Sequence, residues 1–111
     1  MVHYKQLILD RTFGALSDPT RRAMVAQLAR RGVQTAGELA KPHAVSLPAA
    51  LKHIAVLTDA GLIRREKIGR TVHCRLEAVR LREAMAWLER YERFWSARLD
   101  ALVEHVEGDR E

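Results

Sequence analysis

The sequence predicts a mainly α-helical, dimeric protein with a small β-hairpin, in the order α-α-α-α-β-β-α, and three observations predict it. Apolar residues recur at three- and four-residue spacing through most of the chain. Between residues 62 and 76 that period gives way to one nearer two, around Gly69-Arg70. From Ala78 to Val106 neither Gly nor Pro interrupts, so the last element is one long helix.

Each element has its own signals. Leu7, Ile8, Phe13, Ala15 and Leu16 mark a first helix that stops at Ser17-Asp18-Pro19-Thr20. Asp18 is a good N-cap with Pro19 at the first helical position, and Ala23, Met24 and Leu28 carry a second helix that closes at Gly32. Thr35-Ala36-Gly37-Glu38 has the form of a capping box opening a short third helix that stops before Pro42. Ser46-Leu47-Pro48 opens a fourth, with Leu47, Ala50, Leu51, Ile54 and Leu57 as its expected core stripe and Gly61 at its end. In the hairpin, Val72, Cys74 and Leu76 face one side, with Thr71, His73 and Arg75 on the other, so Cys74 is expected to be buried. The last helix repeats Leu81, Ala84, Leu88, Tyr91, Trp95, Leu99, Leu102 and Val106. Trp87 and Phe94 widen its apolar face enough to serve both the core and a partner copy. The tail from Glu107 is expected to fray.

With 111 residues the chain has room for one core, so residues 1–111 read as a single domain. Apolar residues at 48% and charged ones at 30% exclude a disordered chain. A net charge of +5 favours an anionic partner. One cysteine excludes an intrachain disulfide and any Cys-x-x-Cys motif, and fits a reducing cytosol. The opening residues lack a signal-peptide core and no apolar run approaches a membrane span, so the reading is cytoplasmic, with no membrane partner. No paired carboxylates, nucleophile with an adjacent base or Gly-rich phosphate loop argues for an enzyme, and no cofactor is implied.

A short helix, a turn, a second helix and then a basic hairpin is the order of a winged helix-turn-helix, whose second helix enters the major groove of double-stranded DNA. On that fourth helix Ser46, Ala49, Lys52, His53 and Val56 are expected to face outward. Lys52 and His53 are the strongest candidates for phosphate or base contact. Thr35 and Ser46 cap helix N-termini whose amides suit phosphate oxygens. The hairpin carries Arg64, Arg65, Lys67, Arg70 and Arg75 against Glu66, a wing suited to the DNA backbone, with Arg70 at its tip.

The run from Leu9 to about Leu102 resembles the ArsR-type transcriptional repressors. The resemblance rests on Ala15-Leu16-Ser17-Asp18-Pro19-Thr20-Arg21-Arg22, Gly37-Glu38-Leu39-Ala40, Ser46-Leu47-Pro48-Ala49 with Lys52-His53-Ile54, and Leu57-Thr58-Asp59-Ala60-Gly61-Leu62-Ile63. The wing Arg65-Glu66-Lys67-Ile68-Gly69-Arg70 and Trp87-Leu88-Glu89-Arg90-Tyr91 with Phe94-Trp95 are similar to a branch without the usual metal motifs. The resemblance implies a homodimer joined through residues 1–16 and 78–106, binding an imperfect palindrome and releasing it to an effector. A small-molecule inducer is therefore a further expected partner, of unspecified identity. The expected DNA-binding set is Thr35, Ser46, Leu47, Ala49, Lys52, His53, Arg65, Lys67, Arg70, Thr71 and His73. The expected dimer interface is Leu7, Phe13, Leu88, Tyr91, Trp95, Leu99 and Leu102.

The sequence departs from the family at informative positions. Many relatives carry Ser where Leu51 stands, so Leu51 either packs inward or meets a thymine methyl. Glu38-Leu39-Ala40-Lys41-Pro42-His43 lacks the paired thiols of arsenic and cadmium sensors, and His105 is the last helix's lone histidine, too few for the zinc and nickel pattern. No metal is expected at either place.

Plainer readings accompany these. Cys74 is more simply a packing residue than a thiol switch. Met1-Val2-His3 offers an amine and an imidazole to copper or nickel, although a fraying end is the commoner state. Arg21 and Arg22 either reach DNA or pair with nearby acids, and the aromatic cluster is either interface core or the lining of a ligand pocket. The functional reading is a sequence-specific repressor, with a protein-interaction module that has lost DNA readout as the alternative.

Overall fold

The computed structural model describes the backbone of residues 2–109 and the side chains of residues 4–108. The Met1-Val2-His3 metal-binding end considered above lies outside the described side chains. Helix α1 (Val2–Leu16) leads into α2 (Pro19–Arg31), the short strand β1 (Gln34–Thr35), α3 (Ala36–Ala40), α4 (Leu47–Asp59), the strands β2 (Ile63–Ile68) and β3 (Thr71–Leu76), and α5 (Ala78–Asp109).

The helix starts follow local chemistry. Asp18 accepts the Arg21 amide at 3.0 Å with Pro19 in the first turn, and Ser46 accepts the Ala49 amide at 3.2 Å. Thr35 and Glu38 form the reciprocal box, the Glu38 amide donating to Thr35 Oγ1 at 3.1 Å and the Thr35 amide to Glu38 Oε1 at 3.2 Å. The β2–β3 connection is Gly69-Arg70, with Ile68 opposite Thr71. Gly69 has φ +64 and Arg70 does not share the positive φ, the pattern of a type II′ turn.

The core lies where α2, α3 and α4 meet the sheet: Met24, Leu28, Leu39, Ala50, Ile54, Leu57, Leu62, Ile63 and Cys74 are all buried. Each large side chain there contributes about 1.5–3 kcal/mol by leaving water. Cys74 is 0% exposed, as its strand position predicts.

Several expectations are corrected. The sheet has three strands in the order β1-β3-β2, not a bare hairpin, because Gln34 and Thr35 pair with Cys74 and His73 of β3. A two-residue strand has no periodicity to read. Leu47 and Leu51 are not core residues: they are 55% and 44% exposed, because Ala50, Ile54 and Leu57 alone fill the inner face of α4. Ala23 is exposed as well. Helix α5 is helical from Ala78 through Glu107 to Asp109, giving 32 residues, and the molecule is 71 Å in its longest extent. Only its first two turns meet the core, through Leu81 and Ala84.

Candidate nucleic-acid interface

Helix α4 is held by its inner residues, which leaves Pro48, Leu51 and Lys52 on the opposite face, all exposed. Ser46 at its N-cap is exposed, while Ala49 and His53 are half-buried on the flank towards α2. The Ser46 hydroxyl already accepts the Ala49 amide, so a phosphate contact there would use its O–H as donor, whereas the Thr35 hydroxyl is committed to Glu38.

His53 is not simply displayed to solvent. Its Nδ1 lies 3.3 Å from Arg21 Nη1 and 3.8 Å from Asp18 Oδ2. A guanidinium only donates, so Nδ1 accepts and the imidazole proton sits on Nε2, which becomes the ring's remaining donor. Arg21 also donates from Nε to the Ala15 carbonyl at 2.6 Å and from Nη2 to the Gly14 carbonyl at 3.2 Å. Arg22 reaches the Leu16 carbonyl at 2.7 Å. Both arginines therefore cap the C-terminal carbonyls of α1 instead of pairing with acids. The Arg21 amide holds Asp18 below its ordinary carboxylate value, with His53 and the Arg21 guanidinium adding to this against partial desolvation.

The wing extends β2 and β3 into solvent, and Arg65, Lys67, Arg70 and Thr71 are exposed at and near its tip. The register divides the expected set between two faces: Arg65 pairs with Cys74 and Lys67 with Val72, whereas Thr71 and His73 pair with Ile68 and Glu66. Arg64 sits directly opposite Arg75, a like-charge pair that costs stability, offset in part by Glu66 Oε2 at 3.9 Å from Arg75 Nη2. His73, half-buried, lies beside Thr35 of β1 and near Glu38. The Thr35 hydroxyl, and after it the Thr35 amide, hold Glu38 below its ordinary value.

A buried amide network ties these parts together, and the sequence reading missed it. Gln27 Nε2 donates to Gln34 Oε1 at 2.7 Å and to the Glu38 carbonyl at 3.2 Å, while His43 Nε2 donates to Gln27 Oε1 at 3.0 Å. It joins α2, β1, α3 and the loop before α4. The signal available was glutamine at a helix position spaced with Met24 and Leu28, where an apolar residue would be expected.

All seven expected interface residues stand exposed on α1 and α5. Phe13 meets Trp87 edge-on at 5.7 Å, Trp87 stacks on Tyr91 at 5.4 Å, and Tyr91 meets Trp95 at 6.2 Å, so the aromatic ladder also ties α1 to α5 within one chain. Among the described residues no three His, Cys, Asp or Glu side chains gather as metal ligands, and no helix is long and apolar enough to cross a membrane.

A helix-turn-helix with an exposed second helix and a basic two-stranded wing defines a winged helix-turn-helix DNA-binding protein. The comparisons agree. The helix-turn-helix domain family model matches residues 16–66. The transcriptional repressor SdpR of Bacillus subtilis is 30% identical over 80 residues, 72% of this chain and 88% of that protein. The HTH-type transcriptional regulator Rv2034 of Mycobacterium tuberculosis is 34% identical over 100 residues, 90% of each. Among solved structures, the ArsR family transcriptional regulator RHA00566 superposes with a TM-score of 0.76 at 42% identity, covering 82% of this chain and 93% of that one. The homodimeric winged helix-turn-helix domain of Mb0332 from Mycobacterium bovis shares the fold, with a TM-score of 0.62 at 21% identity, covering 78% and 82%. The chain belongs to the ArsR family of transcriptional regulators and is a DNA-binding regulator of transcription.

Proposed function

We propose that this regulator is a homodimeric repressor of a palindromic operator that does not respond to metals through the family's usual sites. The observation that carries the DNA reading is α4 itself: Lys52 exposed on its outer face beside a His53 whose donor is set by Arg21. Lys52 donates to a phosphate or to guanine O6 and N7, and His53 Nε2–H donates to phosphate. Leu51 and Leu47, exposed on the same helix, suit thymine methyl groups. Ser46, Ala49 and Thr35 bring the helix starts near the backbone. Arg65, Lys67, Arg70, Thr71 and His73 supply the wing's contacts, with the register splitting them between two faces.

Residues 1–16 and 78–106 serve as the dimerisation helices of a single domain. The row of Leu7, Phe13, Leu88, Tyr91, Trp95, Leu99 and Leu102 supports this, since all seven large apolar side chains stand exposed in the single chain. The homodimeric state of the Mycobacterium bovis neighbour is in keeping with it. A two-fold axis would set the recognition helices about 34 Å apart, in successive major grooves.

The test is fluorescence anisotropy on duplex DNA from upstream of the protein's own gene against a scrambled duplex. Specific repression requires about a thousandfold preference at physiological salt, abolished in the double variant Lys52→Ala/His53→Ala with the fold intact. Equal, weak binding of both duplexes would instead favour a protein-interaction module, the reading for which exposed Leu47 and Leu51 are the supporting observation.

A further inference from the structure

A cleft of about 400 Å³ opens between α1 and the first turns of α5, away from the recognition helix. Its volume falls within the roughly 300–1,000 Å³ of small-molecule sites. Ile8, Leu9 and Trp87 give it apolar walls. Lys5, Arg80 and Arg90 line it as well, against a single carboxylate, Glu83. Arg80 Nη1 holds both Glu83 oxygens at 3.1 Å, so the cleft carries one ion pair and two further cations. A surface of this kind attracts an anion, and its apolar walls favour one with a hydrophobic body.

The cleft lies beside the apolar row proposed for dimerisation and shares Trp87 with its aromatic ladder. At about 100° per residue, Arg80, Glu83, Trp87 and Arg90 share one face of α5, whereas Leu88, Tyr91, Trp95, Leu99 and Leu102 centre about a third of a turn away. Trp87 is the one ladder residue in the cleft's lining, and none of the seven side chains named for the interface lines it.

Arg80 also touches the DNA-reading half of the molecule. Gly61, at φ +77, terminates the turn after α4, and a Cβ there would lie 3.1 Å from Arg80 Cγ, so the arginine stem packs against that bare backbone. On its other side a smaller cavity of about 150 Å³ is bounded by Arg80 and by Thr58, Asp59 and Gly61 at the C-terminal end of α4. A carboxylate in the larger cleft competes with Glu83 for Arg80, and any shift of Arg80 is felt at the end of the recognition helix.

We propose that the α1–α5 cleft is an effector site for a small organic monocarboxylate with a flat apolar body, held by Lys5, Arg80 and Arg90 and read out through the Arg80–Gly61 contact. The probe is 2-naphthoate, titrated calorimetrically into the full chain, with 2-naphthamide and acetate as the forms lacking the charge and the body. Naphthoate is expected to bind at least tenfold tighter than either, and the exposed-site variants Arg90→Gln and Lys5→Gln each to weaken it threefold or more without altering the thermal melt. Equal binding of the amide, or undiminished binding by both variants, overturns the site. The second arm titrates naphthoate into the protein–DNA complex, where at least threefold weaker binding is expected. Unchanged affinity overturns the effector role. The first arm uses no DNA, so its outcome is independent of the proposed operator reading.

Discussion

Arg21 Nη1 lies 3.3 Å from Nδ1 of His53, across the junction of α2 and α4. One side chain thus caps α1 through the Ala15 and Gly14 carbonyls and sets the donor of the imidazole proposed to meet DNA. Arg21→Ala should cost about 1.5–3 kcal/mol in urea unfolding, the range for hydrogen bonds to a charged group. It should also lower DNA affinity through His53. The His53→Ala loss should therefore be smaller in an Arg21→Ala background than in the wild type. Strictly additive losses would show that the two residues act independently.

Two helix-start carboxylates predict the acid limb of stability. Asp18 and Glu38 titrate below their ordinary values of 3.8 and 4.5 in the folded chain. A group depressed on folding contributes stability that is present above its unfolded value and is lost as pH falls through its folded value. Stability should hold above about pH 5 and decline below it. Asp18→Asn/Glu38→Gln should show a shallower decline over that range; a decline as steep as the wild type's would place the responsible groups elsewhere.

Burial pushes the Cys74 thiol up, with Arg65 opposing in part. The native protein should therefore resist a thiol reagent at neutral pH and react stoichiometrically once unfolded in guanidinium. Rapid labelling of the folded chain would contradict the burial.

Trp95 is 47% exposed in the single chain, next to Tyr91 and Phe94 in the aromatic ladder. As a buried interface anchor it should be worth about 2 kcal/mol or more on truncation. Sedimentation equilibrium should show Trp95→Ala dimers dissociating about thirtyfold more readily, with far-UV ellipticity per chain retained. An unshifted equilibrium would move the interface off this stripe.

The wing predicts a salt effect. Lys67→Ala and Arg70→Ala should each weaken binding to all sequences alike and reduce the slope of log affinity against log salt by about one. A sequence-dependent loss at Arg70 would instead mark the tip as a minor-groove reader.

Much of this was legible because it is local. Asp18, Thr35 and Ser46 cap helices using amides within three residues, and Gly69 sets a turn by its own φ, so neither needs a distant partner to be recognised. Cys74 could be placed inside because strand alternation is also local. What escaped involves residues far apart in the chain. Gln27 is seven residues from Gln34 and sixteen from His43, and the one local sign, a glutamine spaced with Met24 and Leu28, does not name its partners. Strand β1 exists only because β3 lies beside it.

The sequence by itself determined the order of the helices and the hairpin, the capped helix starts, the basic wing and the family, since capping, periodicity and charge are properties of short segments. Only the tertiary structure decided which apolar residues of α4 are inside. Leu47 and Leu51 fit the helical stripe as well as Ala50 and Ile54 do, but one helix face meets the core and its width is set by the neighbouring elements. The same holds for Arg21: its charge suits DNA, and its position over the end of α1 gave it carbonyls and an imidazole instead. A pattern of residue types specifies which groups seek partners; the packing of distant segments determines which partners they meet.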